Sequence, residues 1–321
     1  MPWCRCKHVI NTGTRTTKDD SEDHGAATAP HARTTPAPFR VDVNGRSEVP
    51  PYQGLAAHYD KLLGEESFQK MRDTFEWIVR RYGLRFRSAV DVGCGTGTFV
   101  EYLRRSGVDP VWGVDRSPEM LARAVAKNGQ NKARFLLQDL RELRLPERVD
   151  LLICQFETLN YLLTDTDLHA AFAGFAHALN PGGFVVFDVA ARRPRQPGPH
   201  RRIEFSRFAN DTVTIRARFD NERMLQVGRV SVAGSAATQS ERHVQRLHTI
   251  DDVTAALHDS GLELRAMHDC ADVQRPAQLA ESVIFIAQRS PMTGQPFPST
   301  GATTPDPADS ESSPTPSAPN P

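Results

Sequence analysis

The sequence predicts an α/β protein: a doubly wound, mostly parallel seven-stranded sheet with an antiparallel β-hairpin insertion. Three observations lead there. Runs such as "VDLLIC" and "FVVFDVA" are apolar throughout, the mark of strands covered on both faces. Segments with apolar residues three and four apart alternate with these runs, as crossover helices must. One later stretch, "TVTIRARFDNERMLQVGRVSVAG", alternates Val213, Ile215, Ala217 and Phe219 before Asp220-Asn221, a half-buried hairpin pattern.

The elements follow in order. "EESFQKMRDTFEWIVRRYG" sets Phe68, Met71, Phe75, Ile78 and Tyr82 on one helical stripe that stops at Gly83. "SAVDV" is a strand, followed by a glycine-rich loop and a helix from about Gly97 to Arg105. "VWGVD" is a short strand. Ser117, Pro118 and Glu119 then supply an N-cap, a first-turn proline and an acid for the positive end of a helix that stops near Asn128-Gly129. "ARFLLQD" and "VDLLICQF" read as buried strands. A stripe of Leu168, Phe172, Phe175, Ala176 and Leu179 predicts a helix closed by Asn180-Pro181-Gly182-Gly183, ahead of the fifth strand, "FVVFDVA". Beyond the insertion, Thr249 and Asp252 form a capping-box pattern for a helix to Ser260-Gly261. "LELRAMHD" and "SVIFIAQ" complete the sheet.

The two ends have a different composition. Residues 1–48 lack apolar periodicity, and residues 291–321 are dominated by Pro, Ser and Thr. Such segments bury too little apolar surface to offset their ordering entropy, so both are expected to be disordered tails. The working domain is expected at 49–290, with the insertion, about 191–248, acting as a substrate cover.

Bulk composition removes several function classes. Lysine plus arginine equals aspartate plus glutamate, 39 each, so no net charge draws the chain to nucleic acid or an acidic membrane. No apolar run approaches the roughly 20 residues of a membrane span, and "MPWCRCKHVINTGTRTTKDD" lacks the apolar core of a signal peptide. Five cysteines, few and odd in number, fit a reducing cytoplasm better than a disulfide scaffold. Cys4, Cys6 and His8 lie too close together for a usual zinc site, so no metal is expected.

The functional question centres on "VDVGCGTGTF", Val90 to Phe99. A dinucleotide fingerprint requires G-x-G-x-x-G, yet Thr98 occupies the third position and the glycine falls one residue early, at Gly97. No G-K-[ST] follows at Walker-loop distance. Asp91 precedes the first glycine by two residues, and a carboxylate there repels pyrophosphate but suits an ammonium group. The alternative is that Asp91 accepts hydrogen bonds from its own loop.

An acid followed by G-x-G-x-G resembles the first motif of the class I S-adenosylmethionine-dependent methyltransferases of small-molecule type. Further segments match in order, over about residues 52–190. Asp115, ending "VWGVD", resembles the acid that accepts both ribose hydroxyls, a role suited to a two-oxygen acceptor. Asp139 in "LLQDLREL" resembles the acid that receives the adenine amino group, with Leu140 beside the ring. "LNPGGFVVFDV" resembles the family's turn into its fifth strand, and "YQGLAAHYDKLLG" the segment over the cofactor, with Tyr59 in its Tyr-Asp pair. The resemblance implies a Rossmann-like methyltransferase fold, S-adenosyl-L-methionine as cofactor and a small-molecule methyl acceptor. It implies a cofactor site of Tyr59, Asp91, Gly93, Cys94, Gly95, Gly97, Asp115, Arg116, Met120, Gln138, Asp139, Leu140, Gln155 and Phe156. Cys94 is expected to contribute its backbone alone.

Methyl transfer from a sulfonium is an in-line displacement that needs positioning and water exclusion rather than a protein nucleophile. The loop after the fourth strand, "CQFETLNYLL", is where ligands sit in such sheets. It resembles an Asp-Ser-Leu-Asn-Tyr-Leu loop of small-molecule methyltransferases, with Glu157 and Thr158 replacing Asp-Ser. Glu157 is one catalytic candidate; the other is His243 in "SERHVQRLHT", which matches a Glu-x-His-x-x-Arg pattern and could act as base toward a hydroxyl nucleophile. Strand alternation should put His243 and His248 on opposite faces. Two other readings compete: a non-catalytic S-adenosylmethionine-binding protein on the same fold, and a nicotinamide-dinucleotide oxidoreductase. The sequence is silent on oligomeric state.

Overall fold

A computed structural model describes residues 40–41, 47–129, 133–191, 202–208, 211–220, 222–234 and 238–290. The expected tails fall mostly outside these residues, as do Cys4, Cys6 and His8. The N-terminal boundary is corrected: β1 (Arg40–Val41) and β2 (Ser47–Val49) pair antiparallel on the tail side of position 49.

The first helix, α1 (Tyr59–Tyr82), ends where Gly83 turns left-handed at φ 60° and its N–H caps the Val79 carbonyl. Gly64, at φ 72° and ψ 158°, separates its first turn, Tyr59 onward, from the stripe that buries Phe68, Phe75 and Ile78. The parallel sheet opens with β3 (Ala89–Val92), α2 (Thr98–Arg105) and β4 (Val111–Asp115). Next comes α3 (Pro118–Asn128), capped as expected: Met120 N–H donates to the Ser117 hydroxyl at 3.2 Å, Pro118 opens the helix and Gly129 closes it.

The chain continues through β5 (Ala133–Leu137), β6 (Val149–Cys154), α4 (Asp165–Ala178) and β7 (Leu179–Ala190). Two expectations change here. β5 is not buried but lies at the sheet edge, where Leu137 is 61% exposed. The segment Asn180–Gly183 does not separate α4 from the fifth strand, because β7 begins at Leu179, which pairs with Val149.

The insertion supplies β8 (Arg202–Phe208), β9 (Asp211–Asp220), β10 (Leu225–Ala233) and β11 (Thr238–Arg246), all antiparallel to their insertion neighbours. Together with β1 and β2 these make a second sheet in the order β1-β2-β11-β10-β9-β8, with β2 parallel to β11. The expected hairpin is thus larger than its own segment, since the N-terminal strands extend it. Closing the chain, α5 (Ile250–Asp259) carries the full Thr249–Asp252 capping box, followed by β12 (Leu262–Asp269) and β13 (Ser282–Arg289).

The main sheet has seven strands in the order β12-β13-β7-β6-β3-β4-β5, parallel from β7 to β5 and antiparallel at β13 and β12. Strand alternation divides its core in two. Leu152, Cys154, Val185 and Phe187 pack with α4 residues Phe172 and Phe175 and with Val253 and Leu257 of α5. Leu151, Ile153, Val186 and Ile286 pack with Phe75, Ile78, Phe99 and Leu103 of α1 and α2. A third cluster joins the sheets: Leu55, Tyr59, Leu62 and Met120 meet Val213, Ile215 and Val230 of the insertion. At roughly 25 cal/mol per Å² of apolar surface removed from water, this cluster binds the cover to the segment before α1. The cover, the N-terminal segment and the carboxyl ends of β3, β4 and β6 therefore converge.

Candidate active site

The glycine loop is shaped by backbone conformation. Gly93, Gly95 and Gly97 have φ of 76°, 53° and 73°, the left-handed region that only glycine enters without cost. This alternate-residue spacing explains why the third glycine falls at 97 rather than at 98. Gly93 and Cys94 both donate backbone N–H bonds to the Val114 carbonyl, at 2.7 and 3.0 Å, folding the loop over β4. A Cβ at Gly93 would stand 2.5 Å from Thr158 Cγ2, so the loop passes directly against the segment after β6.

Two carboxylates define the electrostatics. Asp115 at the end of β4 accepts Gly95 N–H at 2.9 Å and Ser117 N–H at 2.8 Å, one on each oxygen. Burial pushes its pKa up, opposed by those two amides. Asp91 is 5% exposed, and its pKa is pushed up to about 7 by burial and then by the Asp115 charge. No hydrogen bond to its carboxylate is found among the described residues. That rules out the loop-amide alternative and leaves an uncompensated buried acid, costly unless a cation joins it. The residues thus fit a ligand with an ammonium group and no phosphate.

A pocket opens above the loop. It is lined by Gly93, Gly95, Asp115 and Arg116 on one side, by Met120, Gln138 and Leu140 on another, and by Tyr52, Tyr59, Phe156, Thr158 and Tyr161. Nine residues of the expected cofactor set therefore face one cavity: Tyr59, Gly93, Gly95, Asp115, Arg116, Met120, Gln138, Leu140 and Phe156. The other five do not line it. Asp91 is buried on β3, Cys94 packs its thiol toward Gly113, and Gly97 is the N-cap of α2. The Gln155 carbonyl accepts the Thr158 hydroxyl at 2.8 Å.

Asp139 stands outside the cavity lining. Its carboxylate is held by Arg141, accepting Nε at 2.9 Å and Nη2 at 2.8 Å as well as the Arg141 amide at 3.0 Å. Burial tends to raise its pKa, but the Arg141 bonds outweigh that and lower it. The pair caps a short turn outside the pocket, a contact made possible by the guanidinium two residues on.

The segment after β6 is strained. Phe156 and Glu157 take φ of 59° and 58°, adjacent non-glycine residues in the left-handed region. Asp188 of β7 accepts Glu157 N–H at 3.2 Å. Buried Asn160 pins the turn, donating to the Ala190 carbonyl at 2.9 Å and the Arg246 carbonyl at 2.6 Å and accepting Ala190 N–H at 2.9 Å. This arrangement turns Phe156 toward the pocket, edge-on to Phe68 with ring centroids 6.0 Å apart, while Glu157 is buried and does not line the cavity.

His243 also stands outside the cavity lining, one layer back. Its Nε2 is 3.0 Å from Glu241 Oε2 and its Nδ1 is 2.7 Å from the Tyr161 hydroxyl, which lies 2.8 Å from the Tyr52 hydroxyl. Tyr52, Tyr161 and Thr158 were absent from the expected set. Tyr52 and Tyr161 lie 109 residues apart, so no local spacing signals their pairing. The opposite-face expectation for the two histidines also fails, because β11 ends at Arg246. His248 lies beyond it, fully buried in an isolated bridge to Ala191, with its pKa lowered by burial and by Arg246.

The comparisons agree with this geometry. Residues 89–183 match the model of a methyltransferase domain family. A putative methyltransferase of Bacillus subtilis, YqeM, is 29% identical over 260 residues, covering 74% of this chain and 97% of its own. A dTDP-3-amino-3,4,6-trideoxy-alpha-D-glucopyranose N,N-dimethyltransferase of Streptomyces venezuelae is 36% identical over 111 residues, 35% of this chain and 46% of its own, so the chain spans under half of that relative. An S-adenosylmethionine-dependent methyltransferase from Clostridium acetobutylicum shares the fold, with TM-score 0.62 at 22% identity over 74% of this chain and 99% of that one.

Fold and site together define an enzyme whose cofactor is S-adenosylmethionine. These likenesses support a class I S-adenosylmethionine-dependent methyltransferase of small-molecule type, and the dinucleotide reading falls.

Proposed function

We propose that this methyltransferase acts on a small molecule and transfers the methyl group to an amine nitrogen. The observation that carries this reading is the tyrosine wall of the pocket. Tyr52, Tyr59 and Tyr161 face the glycine loop, with Tyr52 edge-on to Tyr59 at 6.0 Å. Burial above all raises the pKa of each phenol, so all three remain neutral. Neutral phenols with electron-rich rings suit a nitrogen that becomes positively charged as it is methylated. The N,N-dimethyltransferase name of the Streptomyces venezuelae relative supports the same choice.

The roles follow from the site. The left-handed turns at Gly93 and Gly95 let the backbone approach the zwitterionic end of the cofactor, whose ammonium the Asp91 carboxylate attracts. Asp115 takes the ribose, and Met120 and Leu140 flank the base. When bound, the cofactor supplies an electrophilic methyl group on a sulfonium sulfur. The strained Phe156-Glu157 turn and the second sheet exclude water from the acceptor side.

The test uses the purified full chain with S-adenosylmethionine and two matched acceptors. One is dTDP-3-amino-3,4,6-trideoxy-alpha-D-glucopyranose; the other is its analogue with a hydroxyl in place of the amine. Mass spectrometry should show methylation of the amine alone. Methylation of the hydroxyl analogue, or of neither compound across a panel of small amines, overturns the reading.

A further inference from the structure

Behind the pocket, polar groups from three separate parts of the chain form one connected line. The carboxylate of Glu241, fully buried on β11, accepts four donors: Gly54 N–H at 2.6 Å and Leu55 N–H at 2.8 Å on Oε1, with Tyr52 N–H at 2.7 Å and His243 Nε2 at 3.0 Å on Oε2. Both oxygens already accept backbone amides, so Glu241 faces His243 as an acceptor and the Nε2 of His243 carries the proton. In the neutral ring Nδ1 is then an acceptor, and the Tyr161 hydroxyl donates to it at 2.7 Å. That leaves the Tyr161 oxygen to accept from Tyr52 at 2.8 Å, and both phenols line the pocket. The hydrogen bonds therefore share one direction, from the pocket wall through imidazole to a buried carboxylate.

We propose that Tyr161 is a catalytic residue that passes the acceptor's proton to His243, with Glu241 as the positioning residue that holds the imidazole and steadies its positive charge. This rests on the amine reading above. As the carbon–nitrogen bond forms, the carbon–sulfur bond breaks and sulfur keeps the electron pair. In the same step the nitrogen gives a proton to the Tyr161 oxygen while the Tyr161 proton moves to His243 Nδ1. The phenol is neutral before and after, the amine leaves neutral, and the positive charge rests on His243 beside Glu241. Once product leaves, the proton returns along the same path through Tyr161 to water in the open pocket. A conduit rather than a standing base suits a phenol that burial keeps protonated.

The geometry also explains why His243 fits the sequence pattern yet stands outside the cavity. Its two ring nitrogens are already occupied, one by the acid that orients it and one by the residue that meets the acceptor. Arg116 lies over the Tyr161 ring, 5.2 Å from its centroid, and fixes the phenol from the pocket side.

The test compares the full-length wild type with Tyr161→Phe and His243→Gln, using the amine sugar nucleotide named above and a panel of small amines. Tyr161→Phe should lower single-turnover methyl transfer by about 100-fold and abolish the solvent deuterium isotope effect on that step. Affinity for S-adenosylhomocysteine should change by less than about threefold. A second readout does not depend on turnover. With S-adenosylhomocysteine and an amine bound, the nitrogen NMR signals of His243 should move toward imidazolium in the wild type and stay neutral in Tyr161→Phe. Retention of the wild-type rate, or an unchanged isotope effect, in a folded Tyr161→Phe protein overturns the relay and leaves the amine reading standing. Absence of methylation of any amine by the wild type overturns both. Should His243→Gln fail to fold, Tyr161→Phe and the NMR measurement still decide.

Discussion

The carboxylate of Glu241 accepts the backbone N–H of Leu55 at 2.8 Å, across 186 residues of chain. One side chain of the inserted sheet thereby holds the segment that leads into α1, and with it Tyr52 and Tyr59 of the pocket wall. Glu241→Gln keeps the shape but gives up the charge that four donors share. Hydrogen bonds to a charged group each contribute about 1.5–3 kcal/mol, so the substitution should lower stability by about 2–4 kcal/mol. Urea denaturation of the unliganded protein measures this, and an unchanged midpoint would refute the clasp.

Asp91 makes cofactor affinity depend on pH. Its pKa in the folded protein, about 7, lies above the ordinary carboxylate value, so the protonated form is favoured by folding. This group's contribution to stability is complete at pH values below the ordinary carboxylate range and is lost as pH rises through about 7. The ammonium of S-adenosylmethionine requires the ionised form, so binding should strengthen from pH 6 to pH 8 while the unliganded protein loses stability. Asp91→Asn should flatten both trends and weaken binding by about 100-fold. Calorimetric titration at several pH values checks the first, and thermal melting the second.

Asp115 and Asp139 should part company. Asp115→Ala removes an acceptor that lines the pocket and should weaken S-adenosylmethionine binding by about 1–3 kcal/mol. Because Arg141 engages the Asp139 carboxylate outside the cavity, Asp139→Ala should leave affinity within about twofold. Calorimetry on both variants separates them, and equal losses would restore Asp139 to the site.

Glycine substitutions distinguish strain from close approach. Gly83 and Gly93 both have positive φ, 60° and 76°. Nothing lies within 4 Å of a Cβ added at Gly83, whereas one at Gly93 meets Thr158 at 2.5 Å. Gly83→Ala should therefore cost about 1 kcal/mol of backbone strain and spare cofactor binding. Gly93→Ala should cost about 2–4 kcal/mol, because overpacking adds to that strain, and should weaken binding as well. Denaturation midpoints and cofactor titrations of the two variants give the comparison.

The parts of this protein that were legible in its sequence are those set by neighbours along the chain. The Ser117 cap, the Thr249–Asp252 capping box and the stripe ending at Gly83 depend on contacts three or four residues apart, and all formed as read. The glycine loop was equally local, since alternate left-handed positions demand alternate glycines. The partner of Asp139 is local as well: Arg141, two residues on, engages the same carboxylate.

By itself the sequence determined the main-sheet elements, the left-handed glycine loop and the acid at the end of β4, because short-range sterics and periodicity specify them. Only the tertiary structure decided that Tyr52, Tyr161, His243 and Glu241 form one line, that Glu157 is buried outside the pocket lining, and that the N-terminal strands join the inserted sheet. Those groups come from segments 82 to 189 residues apart. Their meeting depends on how two sheets pack through Leu55, Tyr59, Val213 and Ile215, a property of buried surface that no local spacing encodes.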